Sequence, residues 1–176
     1  GVNFLWRPAL GEHAKKACMR YSVWLPKEFE FGRGGNLPGF VGGQRLNNVE
    51  RPTAGLELRT KWYREGVTDF VLKGPETEHA NGQSIGMRAG SFDRGRWMTI
   101  EQELHLDKPG AKDGKFRVWL DGNLIVNEKR LNTRKEVNFA IDGVAANIGF
   151  VTGNNRQLPS GDAGTLRLSP IELAWR

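Results

Sequence analysis

The chain has 176 residues, with 26 Lys and Arg against 20 Asp and Glu, and a single cysteine, Cys18. That length suits one domain, residues 1–176, burying roughly 70% of its unfolded surface without a metal or disulfide staple; one cysteine excludes an internal disulfide and any Cys-based zinc cluster. The net charge of +6 favours polyanionic partners, but the cations are dispersed in runs of at most two and carry no zinc-finger, RRM or KH pattern, which argues against nucleic acid.

Alternation with period two dominates and helical periodicity is nearly absent, so the expected fold class is all-β, a sandwich of antiparallel strands. In chain order, strands are expected at Cys18 to Leu25, Gly55 to Tyr63, Thr68 to Lys73, Ser84 to Arg88, Trp97 to Leu106, Lys115 to Leu120, Leu124 to Glu128, Ala146 to Thr152 and Thr165 to Trp175. Between the first two lies Gly32-Arg-Gly-Gly-Asn-Leu-Pro-Gly-Phe-Val-Gly-Gly43. So many glycines imply positive φ or close backbone approach, and the apolar Leu37, Pro38, Phe40 and Val41 need somewhere to pack, so the segment reads as a shaped loop at the rim of a site. Asp121-Gly122 between two alternating runs predicts a tight hairpin, and a short helix is expected at Asn132 to Val137. No window of 18 apolar residues and no leader pattern is visible, which predicts a soluble chain without membrane contact, extracellular or periplasmic after processing, or carried on a virion.

Alternation also assigns faces. Leu56, Leu58 and Trp62 turn to the core and leave Glu57, Arg59, Lys61 and Tyr63 outside. Met98, Ile100, Gln102, Leu104 and Leu106 turn inward and leave Glu101, Glu103 and His105 outside; Phe116, Val118 and Leu120 do the same for Arg117 and Trp119. Mixed carboxylates, cations and a large aromatic suit sugar, because rings stack on pyranose faces while charged groups hydrogen-bond hydroxyls and carboxylates. Were these strands neighbours in one sheet, the shared face would be a groove; equally, such residues form solvated cross-strand ion pairs.

The string Tyr21-Ser-Val-Trp-Leu-Pro-Lys-Glu-Phe-Glu-Phe-Gly-Arg-Gly-Gly-Asn-Leu-Pro-Gly-Phe-Val-Gly-Gly43 resembles the "strand, Phe, Gly-Gly-Lys-Leu-Pro-Gly, Gly-Gly" signature of polysaccharide lyase family 14 and its alginate and glucuronan lyase relatives. Leu58-Arg-Thr-Lys-Trp62, Trp97 at the head of a long strand and the hairpin Gly114 to Gly122 follow in matching order. The resemblance implies a concanavalin-like β-jelly roll, two curved antiparallel sheets with a concave groove, and β-elimination on an acidic, uronate-containing polysaccharide without a cofactor. In that chemistry a cation or amide neutralises the uronate carboxylate, a base removes the C5 proton and an acid protonates the departing O4. The family's Lys position is Asn36, its Ser position Glu57, its Arg is kept as Arg59, and its Tyr-x-Tyr strand reads Phe70-Val71-Leu72 or its neighbours.

The residues expected to do chemistry are therefore Arg59 and Asn36 on the carboxylate, with His105, Tyr63 or Lys61 moving protons and His79 also available. Glu57, Glu101, Glu103, Arg117 and Trp119 are expected to bind substrate. A second reading makes Glu57 with Glu101 or Glu103 the paired carboxylates of a glycoside hydrolase. A third keeps the groove without catalysis, as a carbohydrate-binding module or a component of a larger assembly such as a virion. The three histidines are scattered and predict no metal site.

Overall fold

The computed structural model describes residues 1–8, 14–43, 55–74, 82–134, 139–151, 159 and 161–176. Among the described residues thirteen strands run β1 (Val2–Trp6), β2 (Lys16–Trp24), β3 (Gly35–Leu37), β4 (Gly39–Gly42), β5 (Leu56–Trp62), β6 (Thr68–Lys73), β7 (Gln83–Ser84), β8 (Trp97–His105), β9 (Gly114–Leu120), β10 (Asn123–Leu131), β11 (Ile141–Phe150), β12 (Arg167–Leu168) and β13 (Glu172–Trp175). They form a seven-stranded sheet, β1-β11-β3-β5-β6-β7 with β4 also between β11 and β5, and a six-stranded sheet, β10-β9-β8-β2 with β12 and β13 both on β2. All these pairs are antiparallel, and the two sheets enclose one core: the fold is a β-jelly roll.

The expected alternation decides the layering. Met19, Tyr21 and Val23 of β2, Ile100 and Leu104 of β8, and Phe116 and Val118 of β9 are buried against Leu56, Leu58 and Trp62 of β5 and Phe70 and Leu72 of β6. Each such side chain contributes about 1.5–3 kcal/mol on burial. At one end Phe29, Phe31, Trp62 and Phe150 form an aromatic cluster with ring centroids 5.3–6.1 Å apart. The Asp121-Gly122 hairpin is present as expected, with φ of 49° and 77° at its two central residues, the left-handed pair that a two-residue hairpin turn requires.

The glycine-rich segment corrects the expectation of a loop. After a turn at Gly32-Arg33 it becomes β3 and β4, inside the seven-stranded sheet between β11 and β5. Its glycines divide between the two expected uses: Gly32, Gly34 and Gly43 have positive φ (58°, 119° and 112°), whereas a Cβ at Gly39 would stand 1.7 Å from the Leu58 carbonyl oxygen, and one at Gly35 2.0 Å from the Trp62 ring. Pro38 separates the two strands, having no N–H for the ladder. Its carbonyl accepts bonds from the Tyr21 hydroxyl (3.1 Å) and the Thr60 hydroxyl (3.0 Å), and Thr60 accepts one from Gln102 Nε2 (2.7 Å). This buried chain ties the two sheets together beneath the segment. Thr60→Val removes both of its bonds within a dry core and should cost about 2 kcal/mol, read by urea unfolding; a loss near zero would show that the chain contributes nothing.

Further expectations change. Of Ser84 to Arg88 only Ser84 lies in a strand, because Gly86 sits where a Cβ would meet Val126 and Phe70, and the chain turns at Arg88 with φ of 60°. Thr165 to Trp175 splits into β12 and β13 around Ser169-Pro170. The strand β1 was unmarked by alternation, since its five residues are all exposed at the sheet edge. Asn132 to Arg134 are not helical, and the rest of the expected helix lies outside the described residues, as do His13 and His79.

Candidate functional site

The register of the seven-stranded sheet sets out three rows of side chains on its outer face. Asn36, Lys61 and Asp69 stand side by side across β3, β5 and β6; Arg59, Val71 and Ser84 across β5, β6 and β7; Val41, Glu57 and Lys73 across β4, β5 and β6. Directly opposed residues share a face, with Cβ atoms about 4.5–5.5 Å apart. Tyr63, just beyond β5, joins the Asp69 end.

Each row has its own electrostatics. Arg59 donates from Nε and Nη2 to the two carboxylate oxygens of Glu57, both at 2.7 Å, so its fork is filled by a bidentate pair. Asp69 is buried; its Oδ1 accepts from the Ser84 hydroxyl (2.7 Å) and the Phe70 amide (2.8 Å), and the Tyr63 hydroxyl lies 3.5 Å from Oδ2. Burial and, next, the Arg59 charge lower the Lys61 pKa, against smaller opposing effects of Asp69 and Glu57. Burial and the Asp69 carboxylate raise that of Tyr63. The Asn36 Oδ1 is shielded from water and has no hydrogen-bond partner among the described residues, an acceptor that a ligand hydroxyl would satisfy. Chemically, then, the face offers a poised amine, a phenol that stays protonated, an amide, and a guanidinium occupied by an internal carboxylate.

The other predicted residues stand elsewhere. Glu101, Glu103 and His105 of β8 and Arg117 and Trp119 of β9 face out from the six-stranded sheet, on the opposite side of the sandwich. The single groove expected had these strands been neighbours is not formed. Glu103 there accepts from Arg117 Nη1 (3.0 Å) and pairs with His105 Nε2 (2.5 Å), the cross-strand ion-pair alternative. The core, about 10 Å thick, and oppositely directed side chains separate Glu57 from Glu101 and Glu103 by well over the roughly 6.5–9.5 Å an inverting hydrolase spans. Glu57 is also locked to Arg59, so the paired-carboxylate reading is discarded.

Asp69, Lys73 and Ser84 were missed. On β6 the outward residues facing Arg59 and Glu57 are Val71 and Lys73, whereas Phe70 and Leu72 enter the core. Alternation from Thr68 carried that signal, but only pairing with β5 shows which outward residue meets which. Among the described residues no three His, Cys, Asp or Glu side chains converge as a metal would need.

The fold is thus a two-sheet jelly roll with a cation-bearing polar face on the sheet that holds the Gly-Gly-Asn-Leu-Pro-Gly strands. The family model for polysaccharide lyase 14 matches residues 1–162, and the chain belongs to that family. Among solved structures it is similar to the PL-14 alginate lyase of the marine Aplysia kurodai (TM-score 0.79, 20% identity, covering 99% of this chain and 75% of that one). It is also similar to an alginate lyase from a Chlorella virus (0.73, 18%, 96% and 74%) and, more distantly, to the endo-β-1,4-glucuronan lyase of the fungus Trichoderma reesei (0.53, 13%, 92% and 66%). No curated protein matches it in sequence.

Proposed function

We propose that the outer face of the seven-stranded sheet binds a uronate-containing polysaccharide and cleaves it by β-elimination, with Lys61 as the base. One observation carries this reading: Lys61 stands directly across from Asn36, two residues from Arg59, with its ammonium form disfavoured by burial and by the Arg59 charge. An amine one strand from the family's lysine position thus has the environment a proton-abstracting group needs. The Asn36 amide N–H and the Arg59 Nη1 that Glu57 leaves over receive the uronate carboxylate, Lys61 takes the C5 proton, the electron pair forms the C4–C5 double bond as the C4–O4 bond breaks, and Tyr63 protonates O4. Lys73 holds a neighbouring uronate. Mixing the protein with alginate or polyglucuronate tests it: ultraviolet absorbance of the conjugated product should grow with time, and silence on both substrates would refute catalysis.

Glu57 favours a second reading, in which the face binds polyuronate without cleaving it. Its carboxylate occupies the Arg59 fork that would take the substrate's, and Val71 supplies no proton on β6. Glu57→Ser frees the guanidinium and should tighten binding of an alginate oligosaccharide roughly tenfold by calorimetry. Unchanged affinity would mean that Arg59 does not reach the ligand. Binding that tightens while absorbance stays flat selects the non-catalytic reading.

A further inference from the structure

The six-stranded sheet carries a cavity of about 510 Å³ on its outer face, lined among others by Cys18, Arg20, Glu101, Glu103, Trp119 and Glu172. Two register rows build it. Glu172, Arg20, Glu101 and Trp119 stand side by side across β13, β2, β8 and β9, and next to them run Ala174, Cys18, Glu103 and Arg117. The small side chains of Ala174 and Cys18 leave a hollow between larger neighbours, and Gly122 in the hairpin turn opens its rim beside Trp119. Its volume lies within the range of small-ligand sites.

We propose that this cavity is a second carbohydrate site, separate from the polyuronate face, and that it takes a neutral hexopyranose unit. The Trp119 indole gives a sugar ring an apolar face to stack on. Glu101, Glu172 and Arg20 form no ion pair with described residues and remain available to bond hydroxyls, whereas both Glu103 oxygens are held by His105 and Arg117. With Glu103 neutralised by Arg117, the lining keeps the carboxylates of Glu101 and Glu172 against the Arg20 guanidinium, a net negative charge that disfavours a uronate chain here, while the opposite face, with Lys61 and Lys73, attracts it. A matrix in which acidic and neutral chains lie together would be held from both sides of the sandwich.

The test titrates the protein with cello-, manno- and laminari-hexasaccharides and with an alginate hexasaccharide, by calorimetry. At least one neutral oligosaccharide should saturate a site that is insensitive to added salt, is not displaced by the alginate oligosaccharide and is retained in Arg59→Ala. Trp119→Ala should weaken it roughly tenfold or more, and Ala174→Trp, which fills the hollow but leaves Trp119 in place, should abolish it. Cys18, exposed on the cavity lining and the chain's one thiol, supplies an independent readout. Burial and the carboxylates of Glu103 and Glu101 raise its pKa, so alkylation is followed at alkaline pH, where bound oligosaccharide should slow it. No saturable binding of any neutral oligosaccharide, binding unchanged in both variants, or loss of binding in Arg59→Ala would overturn the proposal.

Discussion

Lys61→Met should lower the rate of polyuronate elimination by roughly 10²–10⁴-fold, the range for removing a positioned general base, while alginate binding weakens only severalfold. Methionine keeps an unbranched apolar stem as long as that of lysine up to Cε, so the change isolates the amine. The pH dependence supplies the second half of the result. The reactive form is the neutral amine, so kcat should climb with pH and level off once Lys61 is deprotonated. Because its pKa is lowered from the ordinary lysine value of 10.5, levelling comes earlier than for a solvated lysine. Burial and the Asp69 carboxylate raise the Tyr63 pKa from the ordinary 10.0, which keeps the phenol a proton donor to higher pH than a solvated tyrosine. Tyr63→Phe should therefore slow turnover but leave the rising limb in place, and Lys61→Met should erase the limb. A limb that survives in Lys61→Met would place the base elsewhere.

Gly39→Ala should cost about 3 kcal/mol or more, lowering the melting temperature by about 6–12 °C for a domain of this size. The backbone at Gly39 has no positive φ; what excludes a methyl group is space. A Cβ there would lie 1.7 Å from the Leu58 carbonyl oxygen and 2.8 Å from its carbon, backbone atoms that no rotamer change can move. Relief requires β4 to part from β5, which shifts Asn36 against Lys61, so uronate binding should fall together with stability. Gly74→Ala is the control: the nearest atom to its Cβ is 3.9 Å away, and the cost should be a few tenths of a kcal/mol. Equal melting temperatures for the two variants would show that the sheet absorbs the added methyl group, and with it the account of why the segment is glycine-rich would fail.

Much of the candidate site was legible strand by strand. Glu57, Arg59 and Lys61 face outward as alternation required, because a strand with a buried Leu56-Leu58-Trp62 stripe has only one other side. Asp69 and Lys73 obey the same rule on β6, yet their importance comes from pairing with Lys61 and Glu57, a long-range register that local pattern does not encode. The glycine-rich strands were read as a loop because glycine is depleted in strands and usually marks turns; at Gly35 and Gly39 it marks backbone passing close to Trp62 and Leu58. His105 was grouped with Arg59 because both point outward, and outward has two meanings in a sandwich.

The amino-acid order by itself thus determined the all-β class, the in-or-out sense of each long strand, the Asp121-Gly122 hairpin and the family, since these follow from period-two burial, turn chemistry and a local motif. Only the tertiary structure decided which outward faces coincide. Sheet membership is set by non-local pairing and core packing, and it placed Arg59, Lys61 and Asn36 on one side of the molecule and Trp119, Glu101 and His105 on the other.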